Sequence, residues 1–187
     1  MADYKPIYVE KVIYTREQIE AAIKKAAKWI NKHYAHCKKP PLLLGILKGA
    51  IPFYGRLIMD VKIECLTDFI VLSSFRGQLT RMGDPEVIRD LITNIKGRDV
   101  IVIEDIVDTA STISLLKKYL LDKKPKTLAT VCLVDKVDMR KVPYKVDYAC
   151  FTLHGNPFLI GYGLDVKEVA RNIPCIGTFK KKYFDKL

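Results

Sequence analysis

No apolar run in the chain approaches the ~20 residues that a membrane-spanning helix needs, and the opening MADYKPIYVEK lacks the apolar core of a secretory signal. Both absences point to a soluble, cytoplasmic protein with no membrane partner. No C-x-x-C pair occurs either. Cys37, Cys65, Cys132, Cys150 and Cys175 are scattered, so they are expected to remain reduced thiols, mostly in the core. His33, His36 and Cys37 meet in HYAHC, but without a fourth donor nearby they make a poor zinc site. The familiar phosphate cradles are missing as well. There is no G-x-x-x-x-G-K-[ST], and GYGLDV offers G-x-G without a third glycine, which disfavours a generic dinucleotide-binding domain. With no internal repeat, low-complexity tract or composition break, residues 1–187 are expected to form one domain.

Positive charge is what the chain has in excess. Lys and Arg number 32 against 21 acids, a net charge of +11. That balance attracts anions, either nucleic acid or small phosphorylated molecules. The lysines are spread through KKAAKW, HCKKPP, LLDKKPK and FKKKYFDKL without dense arginine or interleaved aromatics, so they read as solvated faces and nucleic acid is disfavoured.

Periodicity sets out the elements. Thr15 and Gln18 form a T-x-x-Q capping box, and Ile19, Ile23, Ala26, Ala27 and Ile30 recur at helical spacing, which predicts a helix from about Arg16 to Tyr34. PPLLLGIL reads as a strand buried on both faces, followed by a loop and a helix with Pro52 in its first turn. IECLTDFIVLSSF is a strand, RGQLTRMGDP a loop and EVIRDLI a returning strand. VIVIED, TLATVCLVD, VDYACFTL and FLIGYGLD read as further strands, with a helix over 111–121. Buried strands alternating with helices predict a doubly wound α/β fold, a mainly parallel sheet with helices on both faces.

One stretch gathers chemistry. VIVIEDIVDTASTISLL places Glu104, Asp105 and Asp108 at the end of an apolar strand, then Thr109, Ser111 and Thr112 at the start of a helix. Ligands of open α/β sheets bind outside the carboxyl ends of strands. Carboxylates so close repel by about 4 kcal/mol for a pair ~4 Å apart at an effective dielectric of 20. A metal ion, ligand hydroxyls, lysines or a shared proton must offset that. The hydroxyls and exposed N–H groups of a helix start suit a phosphate monoester. Helix capping alone would explain Thr109 or Ser111 but not the acids. Together the groups would hold a sugar phosphate.

VIVIEDIVDTAST resembles the phosphoribosyl-diphosphate (PRPP) motif of type I phosphoribosyltransferases. LKG at 47–49, SSF at 73–75, LVDK at 133–136, and FLIGYGLD with Arg171 beyond it narrow the likeness to the hypoxanthine-guanine (6-oxopurine) branch. The resemblance implies Mg²⁺-dependent transfer of phosphoribose from PRPP to a 6-oxopurine base, in a homodimer or homotetramer. It implies a hood built from the termini, with base recognition over about 135–187, and a mobile lid over about 75–86 with Ser74 and Phe75 at its tip.

By the same likeness, Glu104 and Asp105 hold the ribose hydroxyls and, with Asp165, the metal. Asp108 faces N7 of the purine as general base or acid, and Thr109, Ala110, Ser111 and Thr112 cup the 5′-phosphate. Leu47, Lys48 and Gly49, across an often cis Leu–Lys peptide, receive pyrophosphate with Arg171. Lys136 donates to O6, Phe158 stacks on the ring and Leu159 reads the 2-position. The chain departs from the pattern at three places: Ala110 for Gly, putting a methyl in the phosphate cup, Phe75 for Tyr, and TLHGNPF for the commoner IPDxF. The last touches base selectivity most. The competing reading is an RNA-binding regulator on the same fold that senses nucleotides.

Overall fold

The computed structural model describes residues 7–72 and 87–186. β1 (Val9–Tyr14) leads into α1 (Arg16–Tyr34), where the Thr15–Gln18 box forms as expected: Thr15 Oγ1 accepts from the Gln18 N–H and the Gln18 side chain accepts from the Thr15 N–H. β2 (Leu42–Leu47), α2 (Ile51–Ile58, with Pro52 in its first turn), β3 (Leu66–Leu72) and β4 (Val87–Arg89) follow. Then come β5 (Asp99–Val107), α3 (Ser111–Asp122), β6 (Thr127–Lys136), β7 (Tyr148–Leu153), β8 (Leu159–Ile160) and β9 (Ile176–Phe179). The 73–86 segment, including Ser74, Phe75 and the expected lid, lies outside the described residues.

Six strands form the main sheet in the order β4-β3-β2-β5-β6-β7, parallel except for β4, which runs antiparallel to β3. Strand alternation divides its core in two. Leu43, Ile101, Ile103, Val131 and Leu133 pack under α1 and α2 with Ile23, Ile30 and Phe53. Leu42, Leu44, Val100, Val102 and Cys132 face α3 through Ile113, Leu116 and Leu120. This is the doubly wound α/β fold, with helices on both faces.

A second, three-stranded antiparallel sheet, β1-β9-β8, joins the two ends of the chain. It corrects the reading of FLIGYGLD as one strand. β8 stops at Ile160, because Gly161 (φ +94°) and Gly163 (φ +103°) turn the chain there. The cysteines are free thiols and mostly core, as expected: Cys132 is fully buried and the half-buried Cys65, Cys150 and Cys175 pack against the apolar clusters, while Cys37 is half-buried. Among the described residues no helix is long and apolar enough to cross a membrane.

Candidate active site

The chain's acids sit where the sheet splits. The β2–β5 ladder ends at Gly45–Ile103, while the β5–β6 ladder continues to Val107–Asp135. The last residues of β5 therefore project past β2. Strand order also reverses direction between β2 and β5, the switch point at which open sheets leave a crevice. Glu104 and Asp105 lie within β5 rather than beyond its end. They border a cleft of about 570 Å³ together with Lys48, Gly49, Asp108, Thr109 and Arg171.

The expected repulsion between these acids is real. Burial first, then the charge of Asp105, pushes the Glu104 carboxyl well above the usual carboxylate range. Protonation of Glu104 thus relieves the pair. Asp105 also explains Gly49, since a Cβ there would lie 1.8 Å from Asp105 Oδ2. The Leu47–Lys48 peptide is cis, as the resemblance implied.

Beyond β5 the hydroxyls are left largely unspent. The N-cap of α3 is Ala110, in the left-handed conformation (φ +65°, ψ 2°), and no side chain caps the helix. Thr109 Oγ1 accepts only a long 3.4 Å bond from the Ser111 N–H. Thr109, Ala110 and Thr112 border the cleft, and Ser111 does not. Capping does not account for the hydroxyls, and the first turn of α3 keeps N–H donors for an anion. Ala110 itself is 4% exposed and belongs to the apolar cluster of Val107 and Ile113, so it stands between that core and the cleft it borders.

A second cavity, of about 690 Å³, shares Asp105, Ile106, Asp108 and Asp165 with the first. Lys136 enters it from the end of β6 almost wholly buried, donating to Asp108 Oδ2 at 2.9 Å and Asn156 Oδ1 at 2.7 Å. Asp108 Oδ1 is buried with no partner among the described residues. Phe158 is half exposed and meets Phe179 edge-on at 5.9 Å, and both line the cavity with Leu159.

Opposite, the turn after β8 closes the first cavity. Arg171 donates to the Gly163 carbonyl at 2.7 Å and pairs with Asp165 Oδ1 at 2.8 Å, and its buried Nε has no partner among the described residues. Lys48 pairs with Glu168 at 2.9 Å. A Cβ on Gly163 would fall 2.0 Å from the Gly49 carbonyl, so the two turns touch backbone to backbone.

The sequence reading missed several neighbours. Arg140 donates to the Val107 and Asp108 carbonyls and pairs with Asp135. Glu168 reaches Lys48 and Arg171, and Asn156 reaches Lys136. The only signal for Arg140 was its place one turn past Lys136, and Asn156 lay in the departing TLHGNPF.

Known proteins resemble this chain in both sequence and fold. The phosphoribosyl transferase domain model matches residues 11–167. The hypoxanthine-guanine phosphoribosyltransferase of Streptococcus pyogenes is 35% identical over 178 residues, 95% of this chain and 97% of its own. The chain belongs to the hypoxanthine-guanine phosphoribosyltransferase family. The enzyme of that name from Streptococcus thermophilus is 36% identical over the same shares. A solved hypoxanthine phosphoribosyltransferase of Trypanosoma cruzi superposes with a TM-score of 0.89 at 32% identity, covering 97% of both chains. Another, from Staphylococcus aureus, gives 0.87 at 34% over 94% of each. The fold is thus that of the hypoxanthine-guanine phosphoribosyltransferases.

Proposed function

We propose that the paired cavities catalyse purine salvage, moving the 5-phosphoribosyl group of PRPP to hypoxanthine or guanine to give IMP or GMP and pyrophosphate. The observation that carries this is the shared wall. Asp105 and Asp108 border both an anion-binding cavity and an aromatic-lined one, so a ribose between them would join phosphate to base. Membership of the family supports it. The substrates named for the relatives supply the base class.

On this reading Thr109, Ala110, Ser111 and Thr112 receive the 5′-phosphate, Ala110 and Ser111 through backbone. Glu104 and Asp105 take the ribose hydroxyls, and Lys48, Gly49 and Arg171 take pyrophosphate beside Leu47. Lys136 donates to O6, Phe158 stacks on the purine and Leu159 faces its 2-position. Asp108 Oδ1, buried and without a partner among the described residues, is placed to hold the N7 proton. Displacing pyrophosphate builds positive charge on the ribose, which neighbouring carboxylates stabilise, and alignment of base with anomeric carbon lowers the barrier further.

Mg²⁺ fits the donors present. Asp105 and Asp165 offer the carboxylate oxygens a hard cation takes, and Glu104 would join them on giving up its proton, though no three His, Cys, Asp or Glu among the described residues form a ready-made cluster. Such an ion binds through one or two carboxylates plus substrate phosphates. When bound it would neutralise charge on the departing pyrophosphate. We assign the chain one catalytic domain over 1–187 with a base-recognition hood over about 135–187, and a homodimeric or homotetrameric, cytoplasmic state. Exposed Ile51 on α2 and Met59 at its C-cap favour self-association.

The test is incubation with PRPP, Mg²⁺ and each of hypoxanthine, guanine, xanthine, adenine and uracil, with assay of nucleotide and pyrophosphate. Product from hypoxanthine or guanine is expected, and none from any base would refute the proposal. Asp108→Asn should lower kcat by about 10²–10⁴; full turnover would remove Asp108 from proton transfer.

A further inference from the structure

Lys136 makes a demand on its neighbour that fixes that neighbour's chemistry. An ammonium has three donors and no acceptor. Two of its protons go to Asp108 Oδ2 and Asn156 Oδ1, which leaves one for a ligand. The Asn156 amide must turn its oxygen to Lys136, so its Nδ2 amino group stands beside the ammonium in the wall of the base cavity. No partner for Nδ2 occurs among the described residues.

We propose that Asn156 is a specificity-determining residue, whose Nδ2 donates alongside Lys136 Nζ to the 6-oxo oxygen of the purine, admitting 6-oxopurines and turning away 6-aminopurines. The inference rests on the base assignment made above. It adds a second donor where Lys136 alone was assigned. An oxygen accepts from both, whereas a 6-amino group sets donor against donor and leaves the buried Lys136 ammonium and the Asn156 amide unpaired against the ligand, a costly mismatch.

Anchoring the loop does not require Asn156. Asp138 already holds it: Asp138 Oδ2 accepts from the Gly155 N–H at 2.8 Å, and His154 Nδ1 lies 3.1 Å from Oδ1. Gly155 turns at φ +77°, and Pro157 restricts the next step toward Phe158. The loop therefore presents Asn156 from a fixed backbone.

Steady-state kinetics of the full chain with PRPP and saturating Mg²⁺ would test this, comparing wild type, Asn156→Asp and Asn156→Ala on hypoxanthine, guanine, adenine and 2,6-diaminopurine. Asn156→Asp keeps the oxygen that Lys136 binds but replaces the donor with an acceptor. It should raise KM for hypoxanthine and guanine alike by about tenfold or more, keep kcat within about threefold, and narrow the preference for guanine over 2,6-diaminopurine. Asn156→Ala should raise both KM values roughly three- to tenfold. If Asn156 only steadies Lys136, Asn156→Asp will match wild type in KM while Asn156→Ala loses kcat, and the proposal is overturned. An active wild type with unaltered Asn156→Asp would overturn this inference alone. A wild type silent on both oxopurines would overturn the base assignment and this proposal with it.

Discussion

Glu104 is a carboxyl that burial and the neighbouring Asp105 keep from ionising. In the unfolded chain it titrates near the ordinary value of about 4.3; in the folded chain it keeps its proton to higher pH. Across that interval the folded state binds more protons, so stability falls as pH rises through it. Below the unfolded value both states are protonated and nothing is lost. Glu104→Gln should therefore melt above the parent at about pH 7 and level with it at about pH 4, in the absence of ligand. Each kcal/mol recovered appears as about 2–4 °C. An equal shift at both pH values would mean that ionisation is not the cause. Ala110 balances differently. Its left-handed backbone costs about 1–2 kcal/mol, offset by a methyl buried against Val107 and Ile113 and worth about 0.8 kcal/mol. Ala110→Gly should leave stability within about 1 kcal/mol and KM for PRPP within about threefold. A tenfold fall in KM would place the methyl in the cup.

Between elements, the end of β5 is held by a residue from beyond β6. Arg140 bridges two carbonyls at Val107 and Asp108 and the Asp135 carboxylate, so it sets the backbone from which Asp108 projects. Arg140→Ala would strand a nearly buried Asp135, at a cost of about 3–5 kcal/mol. A fall of roughly 6–20 °C in Tm is expected, with kcat reduced as well; an unchanged Tm would show the bridge to be idle. Nothing in the sequence marks this bridge, because it is made by folding. The same distinction separates what could be read from what could not. α1 was legible to the residue because a capping box and its apolar stripe are local. The Glu104–Thr112 constellation was legible because it is contiguous. β1 and β9 were missed because Val9–Tyr14 finds its partner at Ile176–Phe179, at the other end of the chain. β8 was overlong because an apolar run hides the glycines' positive φ. Asn156 and Glu168 acquire meaning only beside Lys136 and Lys48, which lie far away in sequence.

At the scale of the molecule, the terminal sheet docks on the main one by sharing its core, through Leu159 of β8 and Ile176 of β9 with Ile13 and Tyr14 of β1 packed against it. Tyr14 stacks on Phe151 with centroids 3.8 Å apart, and Gly163 meets the Gly49 carbonyl. Gly163→Ala would break the second contact and force an L side chain to φ +103°. It should cut kcat/KM for PRPP by more than about a hundredfold, since Gly49 and Arg171 move with it, and lower Tm. Near-normal kinetics would show that the turns can part without harm. Finally, the acidic partition between the two cavities has a consequence for what the site retains. A base or a phosphate entering alone meets carboxylates on one side only. A molecule that joins the two pays its loss of free motion once and gains both chambers, so its second half binds at high effective concentration. On the reading proposed here, the joined product is held more tightly than its separate parts, and its departure is the step that the partition makes slow.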